Sequence, residues 1–256
     1  MNVYCLEQAE TDVTSDRVWL SDREALWLNG LHFPKRRADW RLGRWTAKRA
    51  VAAYLNLPSH LQALARIEIR PAPSGAPEAF FENQPAGVSL SLSHRSGRAL
   101  AAVACSGAKL GCDLEVIEAR SNAFITDYLT AEEQGLIARA SAADKAWLTT
   151  LFWSSKESAL KALHDGLRLD TRSVIVSLEA SSPDLDSWSP LCVRHVGGQA
   201  FQGWWQRGNR VLRTLVADPV PALPIWWGGG SEHRLQTTGA GKTPVTRRNV
   251  EDHFRE

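Results

Sequence analysis

The sequence has few of the residues and segments that would place a chain in a membrane, in a disulfide framework or on nucleic acid. Its four cysteines in 256 residues are scattered, without the C-x-x-C spacing typical of zinc or redox sites. No run approaches roughly eighteen apolar residues, so we expect no membrane span. The formal net charge is only +2, which gives the whole chain no electrostatic attraction to nucleic acid.

The start of the chain, MNVYCLEQAE, lacks a basic segment followed by an apolar run, so we expect no signal peptide. Hydrophobic residues make up 44% of the chain and charged residues 23%, which is ordinary for a soluble globular protein. The length is enough for one large or two small domains. We therefore expect a cytoplasmic protein without a membrane partner.

One stretch from Trp147 to Gly166 has the apolar period of an amphipathic helix packed on a core, and Gly166 is a plausible helix stop. Glu157 and Lys161 are four residues apart and share one face of that helix. A surface ion pair is the common interpretation of such a pair. A role in a metal site requires further carboxylates close to Glu157.

Two such carboxylates are found in the segment LGCDLE, residues 110–115. Asp113 and Glu115 are two apart in a stretch with strand character, so both side chains point to the same side of a sheet. Neighbouring carboxylates repel each other unless a cation lies between them. Mg²⁺ suits such oxygen ligands. The alternative is an edge strand whose acidic side chains face water.

A basic row lies on a second predicted helix, between residues 35 and 55. Arg37, Arg41, Arg44 and Lys48 follow one another at spacings of 4, 3 and 4, which stacks them along one face. A solvated basic face is one explanation. An anionic ligand is the other, because arginine forks match phosphate oxygens.

A third candidate group follows a strand in which Val88, Leu90 and Leu92 alternate with serines. That strand ends at Ser93 and His94, where ligand-binding groups often lie. A lone histidine in this setting is more often a structural hydrogen-bonding group.

Other local signals outline the chain. Capping boxes predict helix starts at Ser21 and Thr130. The proline-rich segment 71–85 is typical of a loop. We predict further strands at residues 2–6, 66–70, 99–105, 110–115, 173–178, 191–196, 201–205 and 211–216.

Three blocks resemble the signature of the 4′-phosphopantetheinyl transferases of the surfactin-synthetase-activating type. They are SLSLSHRSG (89–97), GCDLE (111–115) and WSSKESALK (153–161), in that order. Cys112 departs from the family, which has a β-branched residue there. Ala76 departs too, at a place where many members carry a basic residue that reaches coenzyme A. The resemblance covers roughly residues 15 to 217.

The resemblance implies an α+β fold of two similar halves related by a pseudo-twofold, with the active site in the cleft between them. The halves are residues 1–105, which would bind coenzyme A phosphates, and 106–227, which would carry the metal and catalytic carboxylates. No sequence repeat is visible between them. Residues 228–256 lack an apolar period, so we expect a disordered tail.

The implied activity is Mg²⁺-dependent transfer of the 4′-phosphopantetheine group of coenzyme A to a serine of an apo acyl or peptidyl carrier protein. Adenosine 3′,5′-bisphosphate would be released. Fatty-acid, polyketide and nonribosomal-peptide carriers are all compatible with the sequence, and we expect a monomer.

The residues that match the family signature take their expected roles from it. Glu157 would be the catalytic base and Lys161 would face the leaving phosphate, with Asp113, Glu115 and Glu157 as the metal ligands. The expected coenzyme A contacts are Arg37, Arg41, Lys48, Ser93, His94, Lys156 and Lys161, and Arg36 is a weaker candidate.

Three other interpretations remain open. The first is a non-catalytic module of the same fold that binds coenzyme A or a carrier protein. The second is a different Mg²⁺-dependent enzyme acting on a nucleotide. The third, a nucleic-acid binder, would need a longer basic face than this near-neutral chain offers.

Overall fold

The computed structural model describes residues 1–164, 169–178 and 185–227. The expected tail and the expected helix stop at Gly166 lie outside these residues. The described helices are α1 (Asp22–Asn29), α2 (Pro34–Tyr54), α3 (Leu61–Ala65), α4 (Asn122–Tyr128), α5 (Ala131–Arg139) and α6 (Ala142–Leu163).

The predicted helix starts at Ser21 and Thr130 are confirmed, and both have complete capping boxes. In contrast, α6 begins earlier than the apolar period suggested, because Ser141 caps it through the amide of Asp144. It ends before Gly166, at Leu163, and His164 follows in a left-handed conformation with φ of 61°.

The strands are β1 (Tyr4–Ala9), β2 (Ile67–Pro71), β3 (Pro77–Phe81), β4 (Gln84–Pro85), β5 (Val88–Arg95), β6 (Arg98–Cys105), β7 (Lys109–Val116), β8 (Val174–Leu178), β9 (Trp188–His195), β10 (Ala200–Arg207), β11 (Val211–Asp218) and β12 (Ile225–Trp226). The loop predicted for residues 71–85 is wrong, since it contains β3 and β4. Pro77 begins β3 opposite Pro71, at the end of the ladder, where prolines are tolerated.

The strands form three sheets, with the orders β12-β1-β6-β5, β7-β11-β10-β9-β8 and β2-β3-β4. Every pairing is antiparallel except that of β1 with β12. Helix α2 packs on β1 and β6, and helix α6 packs on β7 and β11. The fold is therefore α+β, as predicted.

The element order of the first half recurs in the second. Residues up to Cys105 include β1, then α1 and α2, then β2 to β6, with β1 paired to β6 and β6 to β5. From Lys109 onward, β7 is followed by α5 and α6 and then by β8 to β11, with β7 paired to β11 and β11 to β10.

The four-stranded and five-stranded sheets meet at an apolar cluster, in which Cys5 and Leu100 pack with Cys112 and Leu215. Strands β5 and β7 lie side by side there, and the amide of Cys112 donates a hydrogen bond to Ser91 Oγ at 2.9 Å. Cys112 is fully buried, so it fills the apolar position expected in its motif. All four cysteines are free thiols.

No described helix combines the length and the apolar character needed to cross a membrane. The cytoplasmic location stays a prediction.

The last described segment returns to β1. Ile225 and Trp227 donate backbone hydrogen bonds to Val3 and Cys5, both at 2.9 Å. The Trp227 ring stacks on Tyr4 at 4.5 Å between centroids. The C-terminal end of the described chain therefore stabilises the edge of the first sheet.

We predict that Trp227→Ala lowers the free energy of unfolding by about 2 kcal/mol, because it removes a half-buried aromatic contact. The measurement is urea unfolding followed by fluorescence and circular dichroism. Leu223→Ala, an exposed position in the same segment, should leave stability unchanged. Equal stability of both variants would show that the ring stack contributes nothing.

Candidate active site

The site is built where β7 and α6 approach each other very closely. A Cβ on Gly111 would lie 1.8 Å from the carbonyl oxygen of Ser158, so only glycine permits this contact. The close approach places the carboxylates that follow Gly111 on β7 next to the polar side chains of α6.

Asp113 is the most buried member of the site. Its Oδ1 accepts hydrogen bonds from Ser93 Oγ and Lys161 Nζ, each at 2.7 Å, and its Oδ2 accepts one from Ser154 Oγ at 2.8 Å. These three donors come from β5 and α6. The Asp113 carboxylate therefore links both halves of the chain.

Glu115 lies on the same side of β7 and is held by α6 and by the loop after β7. Trp153 Nε1 donates to Glu115 Oε1 at 3.2 Å, and Arg120 Nη2 donates to Oε2 at 3.2 Å. Burial and the neighbouring Asp113 raise the pKa of Glu115, while Arg95 and Arg120 act in the opposite direction.

Glu157, on α6, is the carboxylate of this cluster whose negative charge is least compensated by hydrogen bonds or ion pairs. Its Oε1 is buried and has no hydrogen-bond partner. Burial, together with the negative charges of Asp113 and Glu115, raises the pKa of Glu157 to about 7, and Lys161 only partly offsets this. A carboxylate with such a pKa can accept a proton near neutral pH.

Lys161 is one turn further along α6 and is 26% exposed. Besides Asp113 it donates to the carbonyl of Cys112 at 3.0 Å. Burial disfavours its charge, but the Asp113 carboxylate outweighs this, so the pKa of Lys161 is raised and the ammonium stays charged. The structure thus brings Asp113, Glu115, Glu157 and Lys161 together, as the sequence predicted.

The chemistry of the three carboxylates fits Mg²⁺, which prefers hard oxygen ligands. The partnerless Oε1 of Glu157 is such a ligand. As placed, however, Asp113 is bonded to Lys161 and Glu115 to Arg120. Within residues 1–164, 169–178 and 185–227, no group of three or more His, Cys, Asp or Glu side chains is arranged to hold a metal ion.

A pocket of about 520 Å³ opens beside this cluster, between the start of α2 and the end of β5. Its lining residues carry aromatic rings or charged groups: Phe33, Lys35, Arg36, Asp39, Trp40 and His94. Partial burial lowers the pKa of His94; Asp39 raises it, and Lys161 and Lys35 lower it further. His94 therefore lines the pocket and is also influenced by the charge of Lys161, a member of the cluster.

Lys48 does not lie where the resemblance implied. It is 0% exposed, forms an ion pair with Glu24 and donates to the carbonyl of Trp19 at 2.8 Å. Glu24 also accepts a hydrogen bond from the amide of Ile69 at 3.2 Å. Lys48 is therefore part of the core and does not reach the surface to bind a phosphate.

Lys156 has the same environment in the second half. It is 0% exposed, pairs with Glu133 at 2.9 Å and donates to the carbonyl of Thr171 at 3.0 Å. Glu133 in turn accepts from the amide of Val176 at 3.1 Å. Five helical residues separate Lys156 from Lys161 by about 140° around α6, which points Lys156 away from the site.

Two of the three arginines of the basic row, Arg37 and Arg41, donate hydrogen bonds to backbone carbonyls. Arg37 Nη1 donates to the carbonyls of Leu28 and Leu31 at 2.7 and 2.9 Å. Arg41 donates to the carbonyl of Thr14. Burial and the adjacent charges of Arg17 and Arg37 lower the pKa of Arg41.

The basic row is therefore not a single solvated face. Arg44 lies over the Trp40 ring at 5.1 Å, and the row ends in the core at Lys48.

Sequence reasoning missed several residues of the site. Ser154 and Trp153 belong to a matched motif that implied no role for them, although they donate hydrogen bonds to Asp113 and Glu115 respectively. Lys35 and Trp40 gave no periodic signal, because they line a pocket formed with a distant strand. Arg120 follows the acidic motif in a loop, and its role depends on how that loop folds back.

Residues 109–213 match the sequence model of the 4′-phosphopantetheinyl transferase superfamily. The match extends from the start of β7 into β11 and includes Asp113, Glu115, Glu157 and Lys161. It indicates a transferase of the phosphopantetheinyl type. No curated protein matches the chain.

We predict that Lys48→Met lowers the free energy of unfolding by about 3–5 kcal/mol, because it leaves Glu24 buried without a counter-ion. The double variant Lys48→Met with Glu24→Gln should recover much of that loss. The measurement is urea unfolding, with Lys145→Met at an exposed helix position as the control. A stable Lys48→Met protein with weakened coenzyme A binding would place Lys48 at the ligand instead.

The raised pKa of Glu157 predicts a pH-dependent stability. In the folded protein Glu157 keeps its proton up to about pH 7, whereas in the unfolded chain it loses the proton above its ordinary pKa of 4.5. As the pH rises between these values, the unfolded chain ionises first, so the free energy of unfolding falls progressively. Glu157→Gln should therefore gain stability over the wild type from pH 5 to pH 7, by about 3 kcal/mol at most.

The measurement is urea unfolding at a series of pH values in buffer with EDTA. Glu132→Gln, at an exposed position on α5, is the control. A gain that does not change with pH would contradict the titration of Glu157 in this range.

Proposed function

We propose that this protein transfers the 4′-phosphopantetheine group of coenzyme A to a serine hydroxyl of an apo acyl or peptidyl carrier protein, with Mg²⁺ as the metal. The observation that carries the proposal is the partnerless, buried Oε1 of Glu157 beside Asp113 and Lys161. The superfamily match over residues 109–213 supports the same assignment. We infer a cytoplasmic monomer of the surfactin-synthetase-activating type.

Glu157 would act as the general base. The serine hydroxyl of a carrier protein is a weak nucleophile, and the Glu157 carboxylate would take its proton as the new bond forms. The serine oxygen bonds to the phosphorus next to pantetheine. The anhydride bond breaks, and adenosine 3′,5′-bisphosphate leaves.

Lys161 would stabilise the charge that develops on the leaving phosphate. It is partly exposed and stays charged through its pairing with Asp113. Asp113, Glu115 and Glu157 would hold Mg²⁺, which supplies charge neutralisation at the diphosphate when bound. Ser93 and Ser154 fix the orientation of Asp113 and thereby position this set.

We propose the pocket between α2 and β5 for the nucleotide part of coenzyme A. Phe33 and Trp40 offer aromatic faces, and Lys35, Arg36 and His94 offer positive or hydrogen-bonding groups to phosphates. This assignment replaces Lys48, Lys156, Arg37 and Arg41. Lys48 and Lys156 are buried in ion pairs, and Arg37 and Arg41 bind backbone carbonyls. Lys35 pairs with Asp39 at 2.6 Å but is 85% exposed, so it can reach a ligand. The assignment also explains how phosphates could be bound despite Ala76.

The test of the function is intact-protein mass spectrometry of an apo carrier protein incubated with this protein, coenzyme A and Mg²⁺. We expect a mass gain of one phosphopantetheine group, absent with EDTA. Fatty-acid, polyketide and peptidyl carriers should be tried in parallel. No gain on any of them, with coenzyme A still bound, would favour the non-catalytic module.

We further predict that Glu157→Gln abolishes transfer, by about 100-fold or more, because it removes the base, while coenzyme A binding measured by calorimetry persists. Glu132→Gln is the matched control on a neighbouring helix and should retain full activity. Full activity of Glu157→Gln would remove Glu157 from the role of base.

A further inference from the structure

Four charged side chains form a closed network at the edge of the site. Arg95, at the end of β5, contacts Glu115 Oε2 at 3.4 Å and Glu118 Oε1 at 2.8 Å. Arg120 contacts the same two oxygens, at 3.2 and 3.1 Å. Each arginine thus bridges one carboxylate of the candidate metal site and one carboxylate outside it.

The network places a hydrogen-bond donor or a positive charge beside each oxygen of Glu115. Glu115 Oε1 accepts a hydrogen bond from the Trp153 indole, and Oε2 lies beside both guanidinium groups. A divalent cation held jointly by the three carboxylates would share the Glu115 carboxylate with these groups. It would also approach two positive groups that already contact this carboxylate, and like charges at such distances repel.

The two arginines are restrained to different degrees. Arg120 is 19% exposed, and its guanidinium lies over the Phe124 ring at 5.1 Å. Arg95 is 40% exposed, and its Nε contacts Glu115 as an ion pair without a hydrogen bond. Arg95 can therefore turn away from Glu115 and keep its shorter contact with Glu118.

We propose that Arg95 and Arg120 are internal counter-ions of Glu115 that compete with a divalent cation, so that they set the metal affinity of the site. The inference rests on the proposed function for the presence of a cation, but concerns residues that the matched motifs do not assign. Arg95 and Arg120 are positioning residues here, because they act through Glu115. Glu118 holds both arginines in place.

The test is a Mn²⁺ titration of the full chain without coenzyme A, with free Mn²⁺ measured by electron paramagnetic resonance. Arg95→Gln and Arg120→Gln should each bind Mn²⁺ about three- to tenfold more tightly than the wild type. Arg95→Lys keeps the charge and should stay close to the wild type. Circular dichroism would confirm that each variant is folded.

Two further variants make the result specific. Arg66→Gln removes the same charge from a pair with Glu82 on another sheet and should leave Mn²⁺ binding unchanged. Glu157→Gln should weaken binding, which locates the ion at the three carboxylates. Unchanged or weaker binding in the Arg95→Gln and Arg120→Gln proteins would overturn the inference.

The outcomes separate this inference from the proposed function. Mn²⁺ binding that the arginine variants do not alter, in a protein that still modifies a carrier, would overturn only the counter-ion role. The absence of Mn²⁺ binding in every variant would overturn the counter-ion role and remove the metal from the proposed function as well.

Discussion

The burial of the Asp113 carboxylate is the constraint on which the site depends. A buried charge is costly unless hydrogen bonds and a counter-ion compensate it, and Asp113 obtains these from Ser93, Ser154 and Lys161. Because those donors lie on β5 and α6, satisfying this one carboxylate fixes β7 between β5 and α6. Gly111 makes the close approach sterically possible.

A second set of buried charges holds each half together. Glu24 with Lys48, and Glu133 with Lys156, occur at corresponding places: each glutamate completes a capping box and accepts from a strand amide. Breaking either pair would leave an uncompensated charge in the core. These lysines therefore serve the fold, and Lys161, on a different face of α6, serves the site.

The charges of the site are unevenly compensated, and this gives its carboxylates different roles. Asp113 is neutralised by Lys161 and Glu115 by arginines, whereas Glu157 has only the distant influence of Lys161. Glu157, whose Oε1 has no hydrogen-bond partner, has a pKa raised to about 7, whereas two arginines oppose the rise in the pKa of Glu115. A proton acceptor and two paired carboxylates thus arise from three side chains of similar chemistry.

The sequence by itself determined the capped starts of α1 and α5 and the main strands, through capping boxes and short-range periodicity. The α+β class and the grouping of Asp113 and Glu115 with Glu157 were implied by its resemblance to a family signature. Only the tertiary structure decided which lysines pair with glutamates in the core and which lysine lies in the site. Lys48 and Lys161 look alike along the chain, but burial and partners from distant strands place one in the core and the other in the site.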